Sequence, residues 1–266
     1  WARPVTWASL SWMMKMAEYV DDIQALLDTA HAMIGANEIE QAWVLLSRLE
    51  ATHPDSPEVQ TLLGDASLRA GYLEYALEFY DRAVDLDPAW TDAYSARANC
   101  LVEQGELEEA WSDVQQAMEL DPDNPEAEYI RSILLEFDGR YREADSGFIR
   151  ANDLDPTGYP LPHRVTKDEF DTGRQAAMAR LPDTFKDRME GVEVFVRDLP
   201  DPAFCAQTHL SPLIMGVFDG HSMAERSEMD PWSQIPPRIQ LFQRNIERIC
   251  RDRETLIDEV EISLLP

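Results

Sequence analysis

Apolar residues recur every three or four positions through much of the first 158 residues, which is typical of helices that bury one face. In the stretch 62–88 (LLGDASLRAGYLEYALEFYDRAVDLDP) a first helix is expected to end near Ala70, where Gly71 supplies a left-handed residue. A second amphipathic helix follows, and Pro88 prevents it from continuing. The apolar face of this second helix consists of Leu73, Ala76, Leu77, Tyr80, Ala83 and Val84. The pattern therefore predicts two closely packed helices joined by a tight turn.

This helix pair repeats with a constant period of 34 residues. The residues that keep the step are Pro54, Pro88, Pro122 and Pro156, then Ala42, Ala76, Ala110 and Ala144, and the turn residues Gly71, Gly105 and Gly139. The leading stretch fits less well, because Asn37 takes the place of the turn glycine. The register predicts a degenerate repeat over residues 23–56 and three regular repeats over residues 57–90, 91–124 and 125–158.

The pattern changes after Pro156. Residues 159–165 contain two prolines and are interpreted as a linker, and residues 166–266 are interpreted as a second domain. Three strands are predicted there, at 192–196 from strict alternation, at 213–218 and at 238–243. Helices are predicted over 167–181, over 182–191 and from near Asn245, with Asp252 as the cap of the last helix and Leu256, Ile257, Val260 and Leu264 on its buried side. The second domain is therefore expected to be a small α+β unit.

The chain is strongly acidic, with 51 Asp and Glu against 23 Lys and Arg and a formal net charge of −28. Such a surface repels nucleic acid phosphates and anionic lipids, so neither class of partner is expected. It favours basic peptides or basic proteins. The alternative interpretation is that the charge serves only to keep the protein in solution.

The three cysteines, Cys100, Cys205 and Cys250, are scattered and form no C-x-x-C pair. This spacing favours a reducing compartment over a disulfide framework. The chain has no run of about 18 apolar residues, which a membrane span requires. Residues 1–22 have no signal-peptide pattern and are interpreted as an N-terminal extension. We therefore expect a cytoplasmic protein.

The 34-residue register resembles the tetratricopeptide repeat (TPR). The matching residues are Leu63, Gly64, Gly71, Ala76, Tyr80, Ala83 and Pro88, then Ala98, Gly105, Ala110, Ala117 and Pro122. The resemblance covers residues 23–158 and implies an α-solenoid of TPR helix pairs, wound as a right-handed superhelix. It also implies a concave groove that binds peptides or protein segments.

The geometry of that family, carried onto this register, places the groove residues on the first helix of each repeat. They are Glu58, Thr61, Asp65, Leu68 and Arg69, then Asp92, Ser95, Asn99, Val102 and Glu103, then Glu126, Tyr129, Ile133, Glu136 and Phe137. Some members of the family bind a C-terminal carboxylate with Lys and Asn at these positions, and here only Asn99 fits that pattern. The interleaved acidic and apolar residues favour a basic, partly apolar protein segment instead. A merely solvated acidic face is the alternative.

Residues 166–266 resemble the minimal zincin-like metallopeptidase domain, in which a short sheet precedes a helix bearing an HExxH zinc motif. The resemblance rests on the Leu181–Pro182 helix break, the strand at 192–196, the turn Gly216-x-x-Asp219-Gly220, the strand at 239–242 and the stretch NIERICRD before the last helix. In that family the last helix runs directly into HExxH, whose histidines bind zinc and whose glutamate activates water. Here Pro266 stands where the first histidine would be expected.

The five histidines of the chain do not supply a substitute zinc motif, because no pair has the i, i+4 spacing of HExxH. His209, His221 and Asp219 are a disfavoured candidate site in loops. Glu225 and Glu228 are equally disfavoured as a catalytic pair, because neighbouring carboxylates are common in so acidic a chain. We therefore predict no catalytic residues, no metal ligands and no cofactor in this chain, with zinc implied only if HExxH follows it.

Three functional hypotheses remain open at this point. The first is a TPR scaffold for protein–protein interaction, fused to an incomplete metallopeptidase-like domain that is inactive as given. The second is a zinc metallopeptidase whose repeats recruit a protein substrate and whose HExxH lies beyond the C-terminus of this chain. The third, less favoured, is an oligomerisation module.

Overall fold

The computed structural model describes residues 23–187, 189, 191–219 and 237–265. The chain forms two compact units. The first comprises residues up to 101 together with 112–122, and the second comprises residues 102–111 together with 123 and beyond. The last predicted helix pair, residues 125–158, therefore lies in the same unit as the C-terminal sheet.

The first unit is built from consecutive helix pairs. Its helices are α1 (residues 23–35), α2 (Ile39–Thr52), α3 (Pro57–Arg69), α4 (Leu73–Leu86) and the larger parts of α5 (Thr91–Gln104) and α6 (Leu107–Leu120). Ser56 caps α3 by accepting a hydrogen bond from the Val59 N–H. The turns adopt left-handed backbone at Asn37 (φ 61°) and Gly71 (φ 81°), which confirms the turn predicted at Gly71 and shows Asn37 taking the glycine's role.

The core of the first unit lies between the paired helices, where Leu46, Leu63 and Tyr80 are fully buried. Gly64 on α3 allows Tyr80 of α4 to pack directly against the helix. A Cβ atom at position 64 would lie 2.3 Å from Cε1 of Tyr80. The small residue at this position of the repeat is therefore a packing requirement.

The second unit combines a helix pair with a small α+β region. The helix pair is α7 (Pro125–Phe137) and α8 (Tyr141–Leu154). The α+β region contains, in chain order, α9 (Lys167–Arg180), α10 (Asp183–Lys186), β1 (Glu193–Arg197), α11 (Pro202–Thr208), β2 (Gly216–Asp219), β3 (Arg238–Phe242), α12 (Gln243–Ile249) and α13 (Arg253–Leu264). Within the described ranges, no helix is long and apolar enough to cross a membrane.

The three strands form one mixed sheet in the order β1-β3-β2. β3 pairs with β1 in a parallel arrangement that places Val194 opposite Ile239. It pairs with β2 in an antiparallel arrangement that places Phe218 opposite Ile239. Ile239 and Leu241 of the central strand are buried, whereas both outer strands are largely exposed. One face of the sheet therefore contributes to the core through its central strand.

The core of the α+β region lies between this sheet, α9 and α13. Gly173 on α9 permits close approach, because a Cβ atom there would lie 2.8 Å from Cδ2 of Leu256. Asp252 caps α13 with a reciprocal capping box to Thr255, as the sequence predicted. The four residues predicted for the buried side of α13 are all buried: Leu256, Ile257, Val260 and Leu264.

The predicted elements of the α+β region are present with shifted ends. β2 begins at Gly216 and not at Leu213, because a turn held by the hydrogen bond from the Ile214 N–H to the Ser211 carbonyl occupies the preceding residues. α12 begins at Gln243, two residues before the predicted Asn245. The short helix α11, capped by Asp201, was not predicted.

Candidate functional site

The groove residues predicted for α3 and for the first turns of α5 lie in the first unit, where side chains of α1, α3 and α5 interact. Gln24 of α1 donates a hydrogen bond to Glu58 (3.3 Å), and the indole N–H of Trp90 donates to the Thr61 hydroxyl (3.1 Å). Leu68 is half-buried, Arg69 and Asp92 are exposed, Ser95 is buried and Asn99 is half-buried. We call Glu58, Asp65 and Asp92 the acidic face.

Two carboxyl groups of the acidic face, those of Asp65 and Asp92, have raised pKa values. Burial raises the pKa of Asp65 to about 6, a shift that the Tyr80 hydroxyl (2.8 Å), His31 and Arg69 reduce and the Asp92 carboxylate increases. The pKa of Asp92 is raised as well, by partial desolvation of its carboxylate and by the nearby Asp121 carboxylate. Both carboxylates are thus destabilised in their charged forms, which is the condition under which an added cation binds favourably.

Replacing Asp65 by asparagine is expected to remove a pH dependence from the free energy of unfolding of the first unit. The pKa of Asp65 is higher in the folded chain, about 6, than its ordinary value of 3.8. Between these values the folded state binds more protons, so the free energy of unfolding falls as the pH rises from about 4 to 6. Because the side chain is only half-buried, we expect Asp65→Asn to gain roughly 2 kcal/mol over wild type at pH 7.

Hydrogen exchange of α3 and α4 at several pH values measures this effect separately from the second unit. Asp85→Asn, at an exposed position on α4, is the matched control. It should leave the slope of the free energy of unfolding against pH unchanged. An equal slope in wild type and Asp65→Asn would show that Asp65 does not carry the pH dependence.

The groove residues predicted from Val102 onward lie in the second unit, and several are engaged there. Val102 and Ile133 are buried. Glu103 accepts a hydrogen bond from the Ser211 hydroxyl (2.6 Å). Tyr129 packs edge-on against Phe148 with ring centroids 5.1 Å apart. Glu126 and Phe137 are half-buried.

Glu136 of α7 lies at the centre of a buried ion cluster. Its side chain is fully buried and contacts three guanidinium groups. Arg164 donates to Oε1 (2.5 Å), Arg244 to Oε1 (2.8 Å) and Arg248 to Oε2 (2.7 Å). Burial would raise the pKa of Glu136, but Arg248 and Arg164 lower it below its ordinary value. The carboxylate is therefore charged at neutral pH.

Two further carboxylates complete this cluster. Glu247 of α12, itself buried, accepts from Arg164 (3.1 Å) and from the Gln243 amide (2.6 Å). Asp145 of α8 accepts from Nε of Arg164 (3.0 Å). Three carboxylates thus balance three guanidinium groups. We call this set the Glu136 cluster; it comprises Glu136, Asp145, Arg164, Arg244, Glu247 and Arg248.

Sequence reasoning placed Glu136 in the groove but did not find its arginine partners. One signal was available in the repeat register. The positions equivalent to Glu136 in the two preceding repeats are Leu68 and Val102, both apolar. Burying a glutamate at such a position is costly unless a cation or hydrogen-bond donors pair with it. The partners themselves could not be identified, because Arg244 and Arg248 are 108 and 112 residues away in the chain.

The described residues do not form a site that fits zinc. They contain no group of three or more His, Cys, Asp or Glu side chains that could hold a metal ion. His209 ends α11 with left-handed backbone, and His221, its disfavoured partner, lies outside the described residues. Burial raises the pKa of Cys250 to about 12, which keeps this thiol protonated at neutral pH.

Two protein families match this chain. The model of the tetratricopeptide repeat family matches residues 57–89 and 91–124. The model of the zincin-like metallopeptidase family matches residues 189–265. These matches confirm both resemblances and the predicted order of helical repeats followed by a small sheet-containing region. No curated protein matches the chain.

Solved structures similar to this chain include several TPR proteins. The TPR domain of OM64 from Arabidopsis is 31% identical, over 38% of this chain and 84% of that one, with a TM-score of 0.36. A thermophilic TPR protein from Thermus thermophilus is 23% identical, over 56% and 83%, with a TM-score of 0.46. The first TPR domain of Spaghetti (RPAP3), bound to the HSP90 peptide SRMEEVD, is 22% identical, over 47% and 92%, with a TM-score of 0.37.

Proposed function

We propose that this TPR protein, whose residues 189–265 are zincin-like, is a cytoplasmic scaffold that binds a basic, partly apolar segment of another protein. The groove positions assigned to the first unit are its binding residues: Glu58, Thr61, Asp65, Leu68, Arg69, Asp92, Ser95 and Asn99. The groove positions from Val102 onward belong to the second unit and are considered separately below.

The observation that carries this proposal is the electrostatic state of the acidic face. Asp65 and Asp92 each have a raised pKa, and the charge of Asp92 contributes to the shift of Asp65. Desolvation is the main cause of both shifts, and a lysine or arginine placed beside the two carboxylates would stabilise their charged forms. Leu68 is half-buried on the same helix as Asp65 and offers an apolar contact beside the charges. The combination suits a cationic segment that also carries apolar side chains.

Reversing two charges of the acidic face is expected to weaken binding of such a segment. The probe is a labelled synthetic peptide of arginine and leucine residues, compared with a peptide in which glutamate replaces each arginine. Wild type should bind only the basic peptide, and less tightly at high salt. Glu58→Lys with Asp92→Lys should raise the dissociation constant about tenfold or more, because each lost charge contact costs ~1 kcal/mol or more.

The control variant has the same net charge as the test variant Glu58→Lys with Asp92→Lys. Glu74 and Glu78 are exposed on α4, and Glu74→Lys with Glu78→Lys changes the total charge equally without altering the acidic face. Fluorescence anisotropy should show near wild-type binding for this control. Equal weakening in both double variants would mean that net charge alone governs binding, and the proposal would fail.

For the zincin-like region we propose that the chain, as given, does not hydrolyse peptides by zinc chemistry. The sequence contains no HExxH, and the described residues offer no alternative group of ligands. A second candidate function is a zinc metallopeptidase that acquires HExxH from residues beyond this chain. The match of residues 189–265 to the zincin-like metallopeptidase family is the observation that favours this candidate.

Zinc analysis of the purified chain separates these candidates. We expect far less than one zinc per chain after dialysis, because the donor set is incomplete. Extending the chain by HExxH should then restore stoichiometric zinc only if the second candidate is correct. Retention of one zinc by residues 1–266, together with chelator-sensitive peptidase activity, would contradict the absence of ligands.

A further inference from the structure

The surface of α7 around Tyr129 and Glu136 contacts another segment of the same chain. Both residues are groove positions of the last repeat in the sequence-derived register. Glu136 is fully buried beneath Arg164, Arg244 and Arg248. Arg248 and Arg164 also lie close enough to Tyr129 to act on its pKa, which burial raises. We call Tyr129 and Glu136 the α7 site.

The segment that fills the α7 site has the chemistry predicted for an external partner. Arg244 and Arg248 are one helical turn apart on α12, so they project from one side of the helix. Ile246 between them is fully buried, and β3, which directly precedes α12, ends in the buried residues Leu241 and Phe242. The segment is therefore basic and partly apolar.

We propose that α12 is a ligand of the last repeat supplied by the chain itself, and that it closes the α7 site to external partners. The proposal rests on the proposed use of the repeats as a binding surface, and it assigns external recognition to the acidic face of the first unit. A tethered ligand acts at an effective concentration of about millimolar order, so a free segment of the same intrinsic affinity at micromolar concentration does not displace it.

Other contacts also hold α12 in place, although Arg248 donates a hydrogen bond to the Asn245 side chain as well (3.1 Å). The Asn245 amide donates to the carbonyls of Pro212 (2.9 Å) and Ile214 (2.6 Å), and the Glu247 carbonyl accepts from the His163 N–H (2.9 Å). Loss of an arginine should therefore weaken occupancy of the α7 site, while the hydrogen bonds to the carbonyls of Pro212, Ile214 and Glu247 remain.

The first test measures the contact within the chain. In the 266-residue chain, Glu136→Gln should speed amide exchange of α12 about tenfold or more and leave α3 and α4 unchanged. Glu143→Gln, which removes an exposed ion pair with Arg140 on the same repeat, is the control and should leave α12 unchanged. A folded Glu136→Gln protein with unchanged exchange in α12 would overturn the proposal.

The second test uses a labelled peptide copying residues 238–251, with Cys250→Ser. Wild type should show no peptide-dependent protection of α7. Arg244→Ala with Arg248→Ala should bind the peptide about tenfold more tightly than wild type and gain protection at α7, and adding Glu136→Gln should abolish this gain. A folded double variant without the gain, or protection of α7 in wild type, would refute closure. Where the double variant does not fold, the exchange test on Glu136→Gln decides.

The two proposals fail in different ways. If no basic peptide binds the acidic face, the proposed function fails while the exchange test still reports on α12. If peptides bind wild type and protect α7 as well as α3, the scaffold function stands and the closure of the α7 site is overturned.

Discussion

Replacing Glu136 by leucine is expected to lower the free energy of unfolding of the second unit by about 3–5 kcal/mol. After the substitution, the anionic partners that remain for the three arginines among the described residues are Asp145 and Glu247. Arg248 should contribute most to the loss of stability, because its guanidinium is nearly buried and its ion pair is with Glu136. Urea unfolding, assigned to each unit by hydrogen exchange, measures the loss.

Glu143→Leu is the matched control for this prediction. Glu143 forms an ion pair with Arg140 on the same repeat, but both side chains are about half exposed. Exposed ion pairs add little net stability, so the control should be nearly neutral. Similar losses for Glu136→Leu and Glu143→Leu would show that burial does not amplify the Glu136 contacts.

Removing a cation together with Glu136 should recover part of the stability. Adding Arg248→Met to Glu136→Leu replaces a buried, unpaired guanidinium with an apolar side chain of similar length. Buried ion pairs replaced as a whole by apolar residues are often neutral or stabilising, whereas single removals are costly. The double variant should therefore be more stable than Glu136→Leu alone, which is the signature of direct coupling.

Acid unfolding gives an independent readout of the same group. A carboxyl whose pKa is lowered by folding contributes stability above its unfolded pKa, and this is lost as the pH falls through the folded pKa. The pKa of Glu136 lies below its ordinary value of 4.5, so the second unit should lose stability below about pH 4.5. Asp65 has the opposite sign, and the first unit gains stability from it on acidification from pH 6.

Local features of the fold followed from the sequence. The left-handed turns at Gly71, Gly105 and Gly139 and the cap at Asp252 depend on residues within a few positions of each other. Such features are determined by backbone freedom and by single hydrogen bonds, so a short stretch of sequence is enough to predict them.

Long-range features did not follow from the sequence. The strand order β1-β3-β2 and the arginine partners of Glu136 depend on which distant segments pack together. Many arginines could have satisfied a buried glutamate, and nothing in residue spacing selects Arg244 and Arg248 among them. The candidate binding positions were accordingly predicted from the repeat register, while the ion pairs of Glu136 could be found only in the structure.

Replacing Tyr80 by alanine is expected to destabilise the first unit by about 3–5 kcal/mol, because it empties a fully buried aromatic site. Tyr80→Phe retains the ring and loses only the hydroxyl that donates to Asp65 (2.8 Å), so its cost should be about 1–2 kcal/mol. Hydrogen exchange of α3 and α4 measures both. A phenylalanine variant as unstable as the alanine variant would place the energy in the hydrogen bond and not in packing.

The close approach of Tyr80 to Gly64 can be tested by making Gly64→Ala in two backgrounds. The effect of this substitution on stability should have opposite signs in the two. In wild type, Gly64→Ala should destabilise the first unit, because the new Cβ would lie 2.3 Å from Cε1 of Tyr80. In the Tyr80→Ala background that ring is absent, and the same substitution should stabilise α3 by up to ~1 kcal/mol, since alanine is a better helix former than glycine. A Gly64→Ala cost that is the same in both backgrounds would mean that Tyr80 is not what requires glycine at this position.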